Sequence, residues 1–215
     1  MAHVRRLHHI CTQLPGSAAA AAGAPGIALL EHVNINSAGF DQPAQYFFDT
    51  LGMIPASYCS PKIIHANMGL SQIHMPLNDQ PQTWTGRIGL AYSRAEFDAL
   101  WSKLSQQSEW SAEKVSDTEI ATIGPHGNHY HLHVVDAAWI DASRARGSIH
   151  RGVTDDKGNT CDGDASRCAG MVYVTVNVAP GKAARIAGFY RAAFGAAPVC
   201  VCVCVCVCVC VCVCV

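Results

Sequence analysis

One short stretch in the middle of the chain, residues 124–135, restricts most strongly what the chain can fold into. It reads GPHGNHYHLHVV, and its first five residues contain two glycines, a proline and an asparagine, which is typical of a tight turn. The rest alternates and ends in valines, which predicts a strand. Because successive side chains of a strand point to opposite faces, His129, His131 and His133 share one face. Three imidazoles on one face predict the wall of a polar cavity or a metal site.

The preceding segments predict two successive units with the same order of elements. In each unit a strand and an amphipathic helix precede three further strands. The first unit has strands at 27–36, 54–58, 62–67 and 70–75, with a helix between Asp41 as N-cap and Gly52; the second has strands at 87–92, within 113–123 and from 129, with a helix at 94–107 capped by Ser93. This order predicts an α+β fold in which paired βαβββ modules form a cup-shaped mixed sheet.

The remaining segments predict a wider domain organisation. Residues 171–177 resemble the first strand, and residues 189–198 resemble the end of the first helix, so a second, truncated copy of the domain is expected. We therefore expect a leader at 1–26, a complete domain at 27–136, a linker at 137–169, the second copy at 170–198 and a tail at 199–215.

The tail alternates valine and cysteine from Val199 to Val215 and holds eight of the twelve cysteines. Such a sequence is what a translated two-base repeat gives, so the tail is set apart from the fold. A genuine cysteine-rich metal-binding tail is the less favoured alternative. Outside the tail lie Cys11, Cys59, Cys161 and Cys168, which do not make a disulfide framework and are expected to be free thiols.

Charge and the leader limit the partners and the location of the protein. The formal net charge is −1, and no basic run follows the first few residues, which argues against a nucleic-acid surface. No segment predicts a membrane span. The leader contains two arginines and many alanines, with no acidic residue before Glu31, so it is either disordered or similar to an organelle transit segment. The expected location is cytoplasmic, or organellar if the leader is a transit peptide.

Three stretches together resemble the vicinal oxygen chelate superfamily, which includes glyoxalase I, bleomycin-resistance proteins and extradiol dioxygenases. The first is HVNI at 32–35 followed by YFFDTLG at 46–52, the second is GLSQIHMP at 69–76, and the third is GPHGNHYHL at 124–132. Their order and spacing, more than any one of them, make the resemblance specific. It implies paired βαβββ modules that curl around a divalent metal, with ligands on the first and last strands of each module.

Carried over by position, the resemblance implies that His32, His74 and His131 are metal ligands. Three imidazoles suit Zn, Fe, Ni or Co. The fourth position is Arg87, whose guanidinium does not bind a cation and is instead expected to orient an anionic substrate. Gln72 shares a face with His74 and is expected to line the same cup.

The resemblance implies a metal-dependent lyase, isomerase or dioxygenase that acts on a small oxygen-rich anionic molecule. A neutral His129 or His133 would serve as the catalytic base. Two alternatives stay open: a non-enzymatic small-molecule-binding module, and a truncated gene product without activity. A homodimer is expected by resemblance, because these proteins often pair modules between chains.

Overall fold

The structure is a computed structural model that describes residues 31–146, 152–194, 200–203 and 209–214. The described residues fall into two compact units, one comprising those up to Val172 and the other those from Tyr173 onward. The predicted leader lies outside the described residues. Among the described residues, no helix has the length and apolarity needed to cross a bilayer.

The first module begins the larger unit. A short strand and a helix precede three strands. The elements are β1 (His32–Asn34), α1 (Asp41–Ala44) continued by a π-helical turn (Gln45–Thr50), β2 (Ile54–Pro55), β3 (Ile63–Met68) and β4 (Ser71–Pro76). The sheet order is β1-β4-β3-β2, in which the first strand pairs in parallel with the last.

The second module repeats this order. Its elements are β5 (Gly86–Tyr92), α2 (Arg94–Leu104), β6 (Ser111–Ser116), β7 (Glu119–Ile123), a 3-10 turn (Pro125–Gly127) and β8 (His129–Val134). The strand order is β5-β8-β7-β6, again with the first strand parallel to the last. The predicted α+β fold of paired βαβββ modules is therefore confirmed.

The first two helices begin in different ways. Ser93 caps α2 as predicted, because its side chain accepts a hydrogen bond from the backbone N–H of Glu96 at 3.3 Å. Asp41 is instead the first helical residue, and the N-cap is Phe40, which makes no side-chain capping bond.

The first helix widens into a π-helical turn, which changes the side chains that it buries. The backbone N–H of Leu51 bonds to the carbonyl of Tyr46, five residues earlier. The widened turn brings Tyr46, Phe47 and Leu51 into the core, whereas Phe48 is only half-buried. An ordinary α-helical period would not bury this set of side chains.

These aromatic side chains join the two modules. The Tyr46 ring lies 5.3 Å from the Tyr130 ring and 4.9 Å from the Trp110 ring, and Phe47 meets Tyr130 edge-on at 5.5 Å. All four side chains are buried. Aromatic pairs at these distances stabilise a core beyond the area that they bury. The apolar face of β8 is thus packed under α1, and its histidine face is on the other side of the sheet.

The segment predicted to be a linker packs into the same compact unit. It contains a third helix, α3 (Ala137–Arg146), and a buried stretch that includes Cys161 and Cys168. The backbone N–H of Ala169 bonds to the carbonyl of Ala91, and that of Gly69 bonds to the carbonyl of Gly163. Residues 161–169 therefore bond to both modules. Backbone pairing between segments so far apart in sequence leaves no local sequence signal.

The second unit contains the elements that resemble the start of the domain. Strand β9 (Gly170–Val178) begins in the larger unit and enters this one at Tyr173, and α4 (Ala183–Phe194) follows it. Strands β10 (Cys200–Val203) and β11 (Val209–Cys214) form an antiparallel pair, and β11 pairs with β9. The order strand then helix matches β1 and α1.

Candidate metal centre

The histidine strand has the two faces that its alternation predicted. Tyr130 and Leu132 are buried in the core on one face. On the other face, His129 is exposed, while His131 and His133 are 9% and 7% exposed. The burial of two adjacent imidazoles requires polar partners, since a buried polar group without a hydrogen bond is costly.

Strand register surrounds these histidines with small side chains. His131 lies between Gly89 of β5 and Ala121 of β7, and His133 lies next to Ala91 of β5. The cross-strand neighbours of the two imidazoles on this sheet are therefore small.

The polar partner of this face is Glu119, which the sequence analysis did not assign. Its register partner is His133, and its Oε1 atom accepts a hydrogen bond from Nδ1 of His131 at 2.6 Å. Because a carboxylate can only accept, Nδ1 of His131 carries the hydrogen of this bond. A carboxylate oxygen and an imidazole nitrogen thus lie side by side, and both could ligate a metal ion that replaces that hydrogen.

Electrostatics keep Glu119 ionised in this nearly buried position. Burial would raise the pKa of the Glu119 carboxyl, but the hydrogen bond from His131 and the charges of His133, His131 and Arg87 together lower it below its ordinary value. The pair therefore presents a carboxylate, not a carboxylic acid, at neutral pH.

Glu119, His131 and His133 could hold a metal ion. In the described part of the chain, they form the one set of three or more histidine, cysteine, aspartate or glutamate ligand atoms that all lie within 4.8 Å of one another. Ligands at about 2.1 Å from a tetrahedral metal lie about 3.4 Å apart, so small shifts of these side chains would complete the site.

The predicted ligands His32 and His74 lie on the other sheet, in a second histidine cluster. His74 contacts His32 and His65 with ring centroids 4.2 Å away in both cases. Nδ1 of His32 bonds to the carboxylate of Glu31, and Nε2 of His74 bonds to Oε1 of Gln72 at 2.7 Å. The structure thus brings His32 and His74 together but does not gather them with His131 within ligand distance.

Ring geometry explains why the first-sheet pair does not form a ready-made site. The His32 and His74 rings are stacked with an interplanar angle of 9°. An imidazole binds a metal through an in-plane lone pair, and the lone pairs of two stacked rings do not converge. Joint ligation by His32 and His74 would require one ring to turn, and it stays a prediction.

The other predicted site residues divide between the two sheets. Arg87 is exposed and is the register partner of His129, so both lie at the same end of the second sheet. Gln72 is buried on the first sheet, and its amide bonds to Tyr58, Asn67 and His74. Its role in substrate binding and the catalytic roles of His129 and His133 also stay predictions.

The position of Glu119 was readable in part from the sequence. The turn at 124–128 closes with a bond from the Gly124 N–H to the Asn128 carbonyl, and Ile123 then pairs with His129. Each further pair moves one residue back along β7 and one residue forward along β8, so Glu119 lies opposite His133. The sequence does not show where one strand within 113–123 ends and the next begins, so the register of Glu119 could not be predicted. The same strand pair contains a β-bulge between Lys114 and Ser116.

A separate concave region lies away from both histidine clusters. Its volume is about 260 Å³, and its lining includes Glu96, Arg144, Asp164 and Arg167. The ion pair between Arg167 and Glu96, 3.7 Å long, spans part of it. None of the predicted site residues lines this cavity.

The comparisons with known proteins found matches in structure but not in sequence. No protein-family model matches the sequence, and no curated protein matches it. A glyoxalase/bleomycin resistance protein/dioxygenase family enzyme from Burkholderia phytofirmans matches with a TM-score of 0.42 and 14% identity, over 51% of this chain and 100% of its own. A protein described as a possible glyoxalase from Bacillus cereus matches with a TM-score of 0.42 and 11% identity, over 50% of this chain and 99% of its own.

A glyoxalase/bleomycin resistance protein from Albidiferax ferrireducens gives a similar result, with a TM-score of 0.39 and 15% identity over 49% of this chain and 98% of its own. These names are those of the superfamily that the sequence motifs resemble. At these identities and scores, the likeness assigns no activity, metal or substrate to this chain.

Proposed function

We propose that Glu119, His131 and His133 bind one divalent transition-metal ion, and that the protein is a metal-dependent lyase, isomerase or dioxygenase of the vicinal oxygen chelate type. The observation that carries this proposal is the convergence of three ligand atoms within 4.8 Å on two adjacent strands. The hydrogen bond between Glu119 and His131 supports it, because it holds a carboxylate oxygen and an imidazole nitrogen side by side, where a cation could replace the shared hydrogen.

The donor set fits the metals expected from the sequence. Two imidazoles and one carboxylate are used by Zn²⁺ in hydrolases and by non-haem Fe²⁺ in oxygenases, and they leave coordination positions open. Such a metal supplies Lewis-acid or oxygen-activating chemistry when bound. The resemblance had implied a neutral set of three imidazoles, and Glu119 would add the negative charge that such a set lacks.

The residues around the centre suggest a small anionic substrate. One carboxylate leaves a divalent ion with net positive charge, which favours an anionic oxygen ligand. Arg87 lies close enough to affect the pKa of Glu119, so its guanidinium would orient the same anion. Gly89, Ala91 and Ala121 would leave room for the substrate above the sheet. His129, which is exposed beside Arg87, would accept a proton from the substrate.

Metal content tests this proposal directly. We expect elemental analysis of the purified full chain to find about one transition metal per chain, lost in the double variant His131→Ala/His133→Ala. The control is His126→Ala, a histidine of the 124–128 turn outside the cluster, which should retain the metal. Equal metal in all three proteins would contradict the proposal and would assign the metal to another site, such as the cysteine tail.

A non-enzymatic binding module is the second candidate. It is favoured by one observation: the first-sheet histidines pack on one another and on Tyr58, as expected of structural side chains. Absence of metal from every protein in the same experiment would favour it. A homodimer and a small-molecule ligand remain predictions in both cases.

A further inference from the structure

A row of buried amides on the first sheet ends at His74. Asn67 and Gln72 are opposite each other on β3 and β4, and they are 1% and 2% exposed. Nδ2 of Asn67 donates to the backbone carbonyl of Cys161 at 2.6 Å. Nε2 of Gln72 donates to Oδ1 of Asn67 and to the Tyr58 hydroxyl at 2.8 Å. Oε1 of Gln72 then faces Nε2 of His74 at 2.7 Å.

The direction of this row is determined at the Cys161 end. A backbone carbonyl can only accept, so Asn67 must present its NH₂ group to Cys161 and its oxygen to Gln72. Gln72 must therefore present its NH₂ group to Asn67 and its oxygen to His74. Reversing either amide would place two carbonyl oxygens against each other in a buried position, which leaves both without a donor.

We infer that Asn67 and Gln72 are positioning residues that hold neutral His74 in its Nε2–H tautomer, so that Nδ1 is the nitrogen through which His74 accepts a hydrogen bond or ligates a metal. Because Oε1 of Gln72 is an acceptor, Nε2 of His74 must carry the hydrogen. The two neighbouring imidazoles, stacked on one side and edge-on at the other, restrain the His74 ring in this orientation.

The inference concerns the first sheet and is independent of the metal centre proposed on the second. It also gives the segment 152–169 a role, since the Cys161 carbonyl, 94 residues from Asn67 along the chain, is the end from which the row takes its direction. Chemistry at His74 would thus depend on the Cys161 carbonyl, which acts on it through Asn67 and Gln72.

Nitrogen-15 NMR of the imidazole side chains tests this inference on the full-length protein. Long-range proton–nitrogen spectra at pH 8.5, where ordinary imidazoles with a pKa of about 6.5 are neutral, distinguish the Nε2–H tautomer from the Nδ1–H tautomer. The His74 signals are assigned by their loss in His74→Gln. We expect the wild type to show a single Nε2–H pattern for His74.

Two substitutions at Gln72 separate positioning from packing. Gln72→Met keeps the side-chain volume but removes the acceptor, and we expect the single-tautomer pattern of His74 to be lost. Gln72→Glu keeps an acceptor for Nε2–H, and we expect the pattern to be retained. If Gln72 only packed against its neighbours, Gln72→Met and Gln72→Glu would show the same tautomer at His74.

Asn67→Leu removes the directional link to Cys161, and we expect it to give mixed tautomers at His74. Its matched control is Asn128→Leu, which removes another buried amide with three hydrogen bonds but lies outside the row. The control should keep the wild-type tautomer. An Nδ1–H pattern in the wild type, or an unchanged pattern in both Gln72→Met and Asn67→Leu, would overturn the inference; if Asn67→Leu does not fold, the Gln72 pair decides alone.

Discussion

Glu119 and His131 face each other across strands β7 and β8, with Oε1 of the carboxylate 2.6 Å from Nδ1 of the imidazole. The pair is 12 residues apart in sequence and nearly buried. In the proposed metal site this carboxylate would supply the one anionic ligand. Its contribution can therefore be tested by removing the charge of the side chain while keeping its shape.

Glu119→Gln is expected to weaken metal binding by more than the roughly 10- to 100-fold that loss of an outer carboxylate partner costs, because it removes the one anionic ligand of the proposed site. Titration with Co²⁺, followed by its visible absorption, measures the affinity. Glu113→Gln on the neighbouring strand is the control, since Glu113 is exposed. Equal affinities of the two variants would contradict a role for Glu119.

The two faces of β8 should respond differently to truncation. Tyr130→Ala removes a ring that packs on Tyr46 and Phe47, and we expect it to lower the free energy of unfolding by about 3–5 kcal/mol. His129→Ala, one residue away on the other face, should change it by no more than about 0.5 kcal/mol. Urea unfolding of both variants measures the difference, and similar losses would mean that the strand is not oriented as described.

Much of the fold was predictable because its signals are local. The alternation of residues 129–134, the Ser93 cap and the order of strands and helices each depend on near neighbours in sequence, and the structure contains them all. The π-helical turn in the first helix and the packing of residues 161–169 were not predictable, since both depend on contacts made by distant segments.

The candidate site was predictable in part for the same reason. The shared face of His131 and His133 follows from strand alternation alone. Glu119 enters the site through cross-strand register, which depends on the exact length of the turn before β8. The stacking of His32 on His74 depends on the parallel pairing of β1 with β4, which no local pattern specifies.

The glycine at position 69 tests how closely the segment that contains Ala169 packs against the first module. Gly69 has φ of +51°, and an added Cβ would overlap the carbonyl oxygen of Ala169. Gly158 has φ of +82° with nothing within 4 Å of an added Cβ. Gly158→Ala should therefore cost only the backbone penalty of about 1–2 kcal/mol, whereas Gly69→Ala should cost clearly more, because backbone must move. Thermal unfolding compares them, and equal costs would contradict close packing of Ala169.

Cysteine reactivity provides a test that depends on pH. Burial raises the pKa of the Cys168 thiol to about 12, against an ordinary value of 9.0. The thiolate is the reactive form. At pH 8, a thiol whose pKa is about 12 has a thiolate fraction about a thousandfold smaller than one whose pKa is 9.0. Because a raised thiol pKa keeps the group protonated, Cys168 should stay unmodified from pH 7 to pH 9 until the protein unfolds, whereas the half-buried Cys59 is accessible to the reagent. Peptide mapping by mass spectrometry after iodoacetamide treatment measures both sites separately from the tail. Modification of Cys168 in the native protein at the rate of Cys59 would contradict its placement against Met68 in the core.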